Sequence, residues 1–379
     1  MITLLHIVLI LAFVIPAVYY FIFAVAGRMY RRPEISSPQT SRFCILIPAY
    51  SSDGFIHATV QSALNQDYPK DKFRVIVISD HMKTETDETI RRTGAEVLTV
   101  HFENSTKAAS LKAAMEYLGP SAADYVVILD SDNIVENTFL SQMNRSLSGR
   151  NIALQGHRCA KNIDTPIAKA DGIFEEVNNL IFRAGHCTLG LSSALIGSGM
   201  ALPYQWFFKT SGEFVTSGED KEMELKLLKD GIFVEYDPDI HILDEKTRSI
   251  RNLQKQRMRW LTSQYYLIGK ALTDFPQVRF KAGYSDKLVQ WAFLPRILLL
   301  AGLPLTAIST ILTGSSWMGI YIAATLLLFA GILLGLPSWV KPRDILDISV
   351  EVPKMLLATI YNIFSKKLTK DKYIHTDHQ

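Results

Sequence analysis

The chain reads as an α/β protein, a mostly parallel sheet flanked by helices, held between apolar helices at its two ends. Three observations predict this. Short β-rich runs at 43–47, 73–79, 96–102 and 125–129 alternate with helical patterns at 59–64, 86–93 and 108–118; strand, helix, strand at such intervals means βαβ units with parallel pairing. Residues 2–27 contain no Asp, Glu, Lys or Arg. A second apolar zone follows Arg296.

The composition bounds the function. Of 379 residues, 48% are hydrophobic and 20% charged, which excludes disorder and places part of the chain in lipid. Lys plus Arg number 40 against 37 Asp plus Glu, too even a balance for a dedicated nucleic-acid binder. The three cysteines, Cys44, Cys159 and Cys187, lack the close spacing of zinc or dithiol sites and read as buried, reduced thiols in a cytosol-facing domain.

As a helix, 2–27 would be about 39 Å long, enough for a ~30 Å hydrocarbon core. Arg28, Arg31 and Arg32 follow the apolar run, so it reads as an anchor (1–28) rather than a cleaved signal, with its N-terminus outside. Pro16 is expected to kink it. Stretches 297–312 and 317–339 predict a transmembrane hairpin (297–340) with both ends in the cytosol, its first arm short for a span. Segment 344–364 reads as amphipathic and interfacial, broken at Pro353, and Lys366, Lys367, Lys370 and Lys372 as a basic tail near anionic lipid.

Between the anchors, 41–245 suits one domain. Ligands of parallel sheets bind beyond the carboxyl ends of the strands, where Tyr50, Asp80, Lys107 and Asp130 fall. The apolar run 126–129 ends in Asp130-Ser131-Asp132-Asn133. Two carboxylates so placed suit a hard cation, Mg²⁺ or Mn²⁺, that would bridge a diphosphate. The same local pattern opens the domain of haloacid-dehalogenase-type phosphatases, with the first Asp as nucleophile; here about 80 residues of apparent βαβ structure precede Asp130. Asp237-Pro238-Asp239 repeats the spacing, and its proline marks a turn.

Ser217-Gly218-Glu219-Asp220 precedes an apolar-periodic stretch that stops at Gly231. Ser217 and Asp220 can form a capping box; Asp220 can equally be a general base facing substrate. Within interfacial helices expected at 246–296, Gln256-Arg257-Met258-Arg259-Trp260 offers either a lipid-facing basic helix or a diphosphate clamp, with Gln256 and Arg259 on one face and Trp260 as a stacking surface for a sugar.

In this order, Ile47-Pro48-Ala49-Tyr50, Asp80, Lys107, Asp130-Ser131-Asp132, Gly197-Ser198-Gly199-Met200, Glu219-Asp220 and Gln256 through Trp260 resemble the membrane-bound family 2 glycosyltransferases, such as cellulose, chitin and hyaluronan synthases. The resemblance implies a GT-A fold in which Tyr50 and Asp80 border the nucleobase and Asp130 lies near ribose and metal. It makes Asp132 the principal metal ligand, Asp220 the general base, and Gln256 and Arg259 the diphosphate clamp, with Lys107 in the nucleotide pocket. Gly199, Met200 and Trp260 would meet the acceptor. The implied reaction is inverting and metal-dependent, from a UDP-sugar to a saccharide or lipid hydroxyl, by a multi-pass protein of the plasma (inner) membrane with its catalytic domain in the cytoplasm. A catalytically inactive scaffold is the non-enzymatic alternative. Two departures stand out: Ser51-Ser52 replaces the family's Asn-Glu, leaving Asp53 to take over the nucleotide contact, and Gly218 replaces a threonine. Three spans cannot enclose a sugar-wide pore, so a channel would need self-association or a partner, unless the product is a short glycolipid.

Overall fold

The computed structural model describes residues 2–32, 39–279 and 281–364; the four tail lysines, Lys366, Lys367, Lys370 and Lys372, lie outside them. Eight strands form one sheet: β1 (Phe43–Tyr50), β2 (Phe73–Asp80), β3 (Glu96–Val100), β4 (Tyr125–Ile128), β5 (Ile134–Val135), β6 (Ala153–Ala160), β7 (Met200–Pro203) and β8 (Val234–Asp244), in the order β3-β2-β1-β4-β7-β6-β8-β5. Successive side chains of a strand face opposite ways, and here both faces are covered. Ile45, Ile47, Val75, Val77 and Val127 pack against helices Ile56–Leu64 and Phe139–Leu147. Cys44, Leu46, Ile76, Ile78, Val126 and Ile128 pack against Lys107–Leu118 and Glu219–Asp230. Burial on both sides is why these strands read as unbroken apolar runs.

The sheet is mixed, which corrects the expectation of a mostly parallel one. The four strands read from the sequence are parallel to one another, but β7 runs antiparallel to both β4 and β6, and β5 antiparallel to β8. The βαβ rhythm ends with β4; beyond it the short strands β5 and β7 join antiparallel, while β6 and β8 pair in parallel across helical connections. Asp237-Pro238-Asp239 is part of β8, beside the register shift at Gly156/His157. Asp237 accepts from the Asp239 N–H, and Arg32 pairs with Asp239 at 2.7 Å, so this repeat of the D-x-D spacing is structural.

Among the described residues, only Thr3–Arg28 is by itself long and apolar enough to cross a membrane. A π-helical segment, Ile10–Val14, lies directly before Pro16 and contains the carbonyl that proline would leave unpaired, so the helix absorbs Pro16 by widening one turn. The predicted hairpin corresponds to helices Arg296–Leu312 and Met318–Leu334, 17 residues each. Each is about 26 Å long at 1.5 Å per residue, short of a ~30 Å core. Arg296–Leu312 meets Lys281–Ala292 at a 65° bend. Segment 344–364 is not broken at Pro353: a single helix, Pro342–Phe364, runs through it with the proline ring exposed, while Met355, Thr359 and Asn362 face inward. The Asn362 amide donates to the Gln254 carbonyl at 2.9 Å, tying this helix to Ile250–Asp274.

The N-terminal helix docks by backbone contact. A Cβ on Gly185 would lie 2.2 Å from the Phe23 carbonyl oxygen, and one on Gly27 2.3 Å from that of Leu180. Phe23 stacks on His186 with centroids 4.1 Å apart, and the Tyr19 hydroxyl donates to Asp286 at 2.6 Å. Gly185→Ala must push the two helices apart, which costs about 1–3 kcal/mol. We expect a lower melting temperature in detergent for Gly185→Ala, whereas Gly269→Ala, in a helix with no atom within 4 Å of the added methyl, should match or exceed wild type. Equal melting of Gly185→Ala and wild type would refute the docking.

Candidate active site

Parallel register sets the site. Tyr50 is paired with Asp80 at the ends of β1 and β2, and the Leu129 N–H donates to the Leu46 carbonyl, carrying β4 on to Asp130. These ends open on a cleft of about 1350 Å³ that also holds Lys107, Asp132, Asp220, Gln256, Arg259 and Trp260. Asp53 apart, all but two of the residues singled out in the sequence as site candidates therefore share one space.

The two are Gly199 and Met200. Met200 is fully buried at the start of β7, and a Cβ on Gly199 would meet Ile242 at 2.5 Å, so both serve the core rather than an acceptor pocket. Of the Gly197–Met200 turn expected to line the acceptor pocket, Gly197 lines the cleft, beside Ile196. The buried Gln155 amide fixes that turn, donating to the Ser198 carbonyl at 3.0 Å and accepting from the Ile196 N–H at 3.1 Å. Asp53 also lies apart: it accepts from the Lys83 N–H and the Thr86 hydroxyl, at 2.9 and 2.6 Å, and so caps helix Thr84–Arg92. Ser52 stands nearer the nucleotide end, its hydroxyl 3.0 Å from that of Ser131 in the D-x-D turn.

Asp130 is half-buried and ion-paired with Lys107, whose ammonium also donates to the Gly197 carbonyl at 2.8 Å and lies 3.8 Å from Glu219. Burial works against the Lys107 charge, but Asp130 and Glu219 outweigh it and hold its pKa above the ordinary value. Asp132 is buried at 8% exposure, and its carboxyl is pushed up to about 8 by burial, by Asp244 and by Asp130. Asn133 bridges the crowd, donating to Asp132 at 3.2 Å and to Asp244 at 3.1 Å. Three crowded carboxylates, with Asp132 raised by burial and by the other two, are an oxygen donor set that a hard dication satisfies, so the residues present fit Mg²⁺ or Mn²⁺.

Beneath them lies a buried charge network that the sequence did not announce. Arg158 and Arg183 pair with Glu175 at 2.9 and 3.0 Å, and Lys246 pairs with Asp244 at 2.9 Å. Burial would raise Glu175, yet Arg158, Lys246 and Arg183 hold it far below the usual carboxylate range. Asp244 is likewise lowered against burial, by Arg158 and Lys246. Leaving one member of such a network unpaired costs about 3–5 kcal/mol. Its members come from separate elements, so no local spacing reveals it; the one local sign is Lys246 two residues after Asp244.

Helix Glu219–Asp230 presents Asp220, half-buried, to the cleft from the second helical position. The capping box is not formed. Gly218 is the N-cap, the Ser217 hydroxyl lies 3.2 Å from that of Ser263, and Asp220 accepts from the Lys221 N–H at 2.9 Å. Glycine is required at the cap because a Cβ there would lie 2.8 Å from that of Ser263. Gly231, at φ 76°, closes the helix as expected. Glu219 is buried, and its carboxyl is pushed up to about 7, chiefly by burial and by Asp220, with Lys107 opposing. On helix Ile250–Asp274, Arg259 and Arg257 take different faces: Arg259 lines the cleft, while Arg257 lies over the Phe174 ring at 5.7 Å. Trp260 lines the cleft and is 38% exposed, open for stacking. Burial raises all three free thiols to about 11 or 12, consistent with inert cysteines.

Residues 38–263 match the model of the family described as glycosyltransferase like family 2, and the chain belongs to that family. It is 21% identical over 249 residues to a probable glycosyltransferase, YdaM, of Bacillus subtilis, covering 62% of this chain and 58% of that protein. It is 25% identical over 241 residues to an N-acetylglucosaminyltransferase of Rhizobium meliloti, covering 58% and 55%. A 112-residue stretch is 31% identical to the cellulose synthase 1 catalytic subunit (UDP-forming) of Komagataeibacter xylinus, covering 29% of this chain and 15% of that one. The chain thus spans little more than half the length of the first two relatives. In fold it is similar to the mannosyltransferase PcManGT of Pyrobaculum calidifontis, solved with GDP-Man and Mn²⁺, at a TM-score of 0.59 and 18% identity over 92% of this chain and 95% of that one. The protein is therefore a family 2 glycosyltransferase with a GT-A-like fold, and the phosphatase alternative falls with the family match.

Glu219 gives a pH prediction. Its pKa is higher in the folded chain than the ordinary 4.5, so its contribution to stability is complete below about 4.5 and is lost as pH rises through about 7. In chelator, wild type should lose melting temperature between pH 5 and 7.5, and Glu219→Gln should lose less. Parallel pH profiles for the two proteins would contradict this assignment.

Proposed function

We propose that the enzyme is inverting and divalent-metal-dependent, and that it moves a sugar from a UDP-sugar to a hydroxyl of a saccharide or lipid acceptor at the cytosolic face of a membrane. One observation carries the reading: groups suited to the nucleobase, to a diphosphate and to proton removal line one continuous cleft, from Tyr50 and Asp80 through Asp130, Asp132 and Lys107 to Asp220, Arg259 and Trp260. Uridine is favoured by the UDP-forming relative, and a metal by the Mn²⁺ of the mannosyltransferase together with the crowded carboxylates.

In this mechanism Tyr50 and Asp80 hold the base. Asp130 and Asp132 would hold the cation, which when bound offsets the charge of the diphosphate. Lys107 and Arg259 donate to the diphosphate oxygens and Gln256 donates its amide N–H, so negative charge that develops as the C1–O bond breaks meets fixed donors. Asp220 accepts the proton of the acceptor hydroxyl as its oxygen bonds to C1 from the face opposite the leaving group, and configuration inverts. The N-terminus of its helix favours a carboxylate there. Trp260 stacks on the acceptor sugar.

The membrane reading rests on Thr3–Arg28 as the anchor, with Arg28, Arg31 and Arg32 on its cytoplasmic side. The two shorter apolar helices, Arg296–Leu312 and Met318–Leu334, complete a multi-pass arrangement in the inner membrane as a hairpin in locally thinned lipid. A channel for a polymer would require a second copy or a partner.

The test is a panel of radiolabelled UDP-sugars incubated with membranes carrying the full chain. One of them should label lipid or polymer. Asp220→Asn keeps a polar side chain but no base, so labelling should fall about 10²–10⁴-fold with UDP binding retained. Near-normal turnover in Asp220→Asn would remove it from the base role, and no labelling by any UDP-sugar would refute the donor assignment.

A further inference from the structure

At the nucleobase end of the cleft stands a donor cluster that the transfer mechanism does not use. Ligand atoms of Asp80, His81 and His101 all lie within 4.8 Å of one another. The His81 Nδ1 is 2.6 Å from Asp80 Oδ1, and the two imidazoles meet at 89° with centroids 5.7 Å apart. Asp80 is only 1% exposed, and its other oxygen, Oδ2, is buried with no hydrogen-bond partner among the described residues. A buried carboxylate oxygen is costly to leave unsatisfied. His81 adopts a left-handed backbone, φ 55°, uncommon for a residue with a Cβ, and both imidazoles are exposed.

We propose that Asp80, His81 and His101 bind a borderline transition-metal cation of the Zn²⁺ class, and that its occupation excludes the nucleotide. Two imidazole nitrogens and one carboxylate oxygen, with a position left for water, match zinc rather than magnesium, which prefers an all-oxygen shell. Ligands around tetrahedral zinc at 2.0–2.1 Å stand about 3.3 Å apart, so the 2.6 Å contact between His81 and Asp80 must open and the exposed His101 ring must turn inward to close the set. The site is distinct from the carboxylate pair. β1 separates β2, which ends in Asp80, from β4, which leads to Asp130, and two strand spacings make about 10 Å. A metal on Asp80 takes the oxygens that would accept a hydrogen bond from the base. This exclusion rests on the proposed contact between Asp80 and the nucleobase; the metal site itself does not.

The test uses the full chain, carrying no histidine tag and stripped with chelator, titrated with Zn²⁺ by calorimetry and with Co²⁺ by visible absorption. His81→Asn suits the left-handed backbone, and His101→Ala alters an exposed ring; Asp132→Asn disables the other candidate metal site. One equivalent of Zn²⁺ should bind to wild type and to Asp132→Asn, and at least tenfold more weakly to each histidine variant. With millimolar Mg²⁺ present throughout, Zn²⁺ should weaken UDP binding to wild type and leave His101→Ala unaffected. Zinc affinity unchanged in both histidine variants, or lost in Asp132→Asn, would overturn the site. Zinc bound through the histidines with UDP affinity unaltered would overturn the exclusion, and with it the contact between Asp80 and the base. Loss of all UDP-sugar transfer, with the zinc results as expected, would count against the proposed function and not against the site.

Discussion

The constraint on which the rest depends is the placement of Asp132 and Asp244 side by side, each less than a tenth exposed. Burial and mutual repulsion push Asp132 up to about 8, while Asp244 stays ionised through Arg158 and Lys246. The counterions are themselves held: Arg158 and Lys246 share Glu175, and Arg183 completes that carboxylate's shell. Elements far apart in sequence, β4, β6, β8 and the Pro166–Asn178 helix, are thereby fixed to one another by charge as well as by apolar contact. Beside this network, at Asp130 and Asp132 in the cleft, a divalent cation and a diphosphate would neutralise each other. Buried ion pairs add little net stability against apolar residues of equal volume; what this one supplies is a preorganised field.

The terminal helices share the same frame. The N-terminal helix rests on the π-helical segment Asn179–Gly185, which continues the helix carrying Glu175. Backbone contact at Gly27 and Gly185 leaves no room for side chains between them, so the position of the anchor is coupled to the floor of the active site. Helix Ile250–Asp274 makes the second link: Leu253 packs with Met355 of the last helix, while Arg259 and Trp260 line the cleft. The groups lining the cleft are thus referenced to the N-terminal and C-terminal helices on two sides.

Legibility in the sequence followed the range of the interactions. The four parallel strands and their helices were evident because double-sided burial writes continuous apolar runs, and the strand-end residues Tyr50, Asp80 and Asp130 followed from the topology rule. The mixed half of the sheet was not: β5 has two residues, and β7 is a four-residue strand reached through a glycine turn. Gly199 and Met200 were drawn toward the acceptor by their motif, but φ 61° at Gly199 and the side chain of Ile242 place these two residues in the core, leaving Gly197 at the cleft. Asp220 read equally as cap or base, because the close approach of Ser263 that makes Gly218 the N-cap comes from another helix and leaves no mark in the local spacing. The Arg158, Glu175, Arg183, Asp244 and Lys246 network depends wholly on long-range packing and left no periodic trace.

The central claim is that Asp132 engages the donor through a divalent cation. The most direct test is calorimetric UDP binding to the full chain with Mn²⁺ and again with excess chelator, for wild type and Asp132→Asn. The account predicts that chelator weakens wild-type binding at least tenfold and that Asp132→Asn with Mn²⁺ falls to the chelated level. Equal UDP affinity of wild type with and without chelator would contradict it.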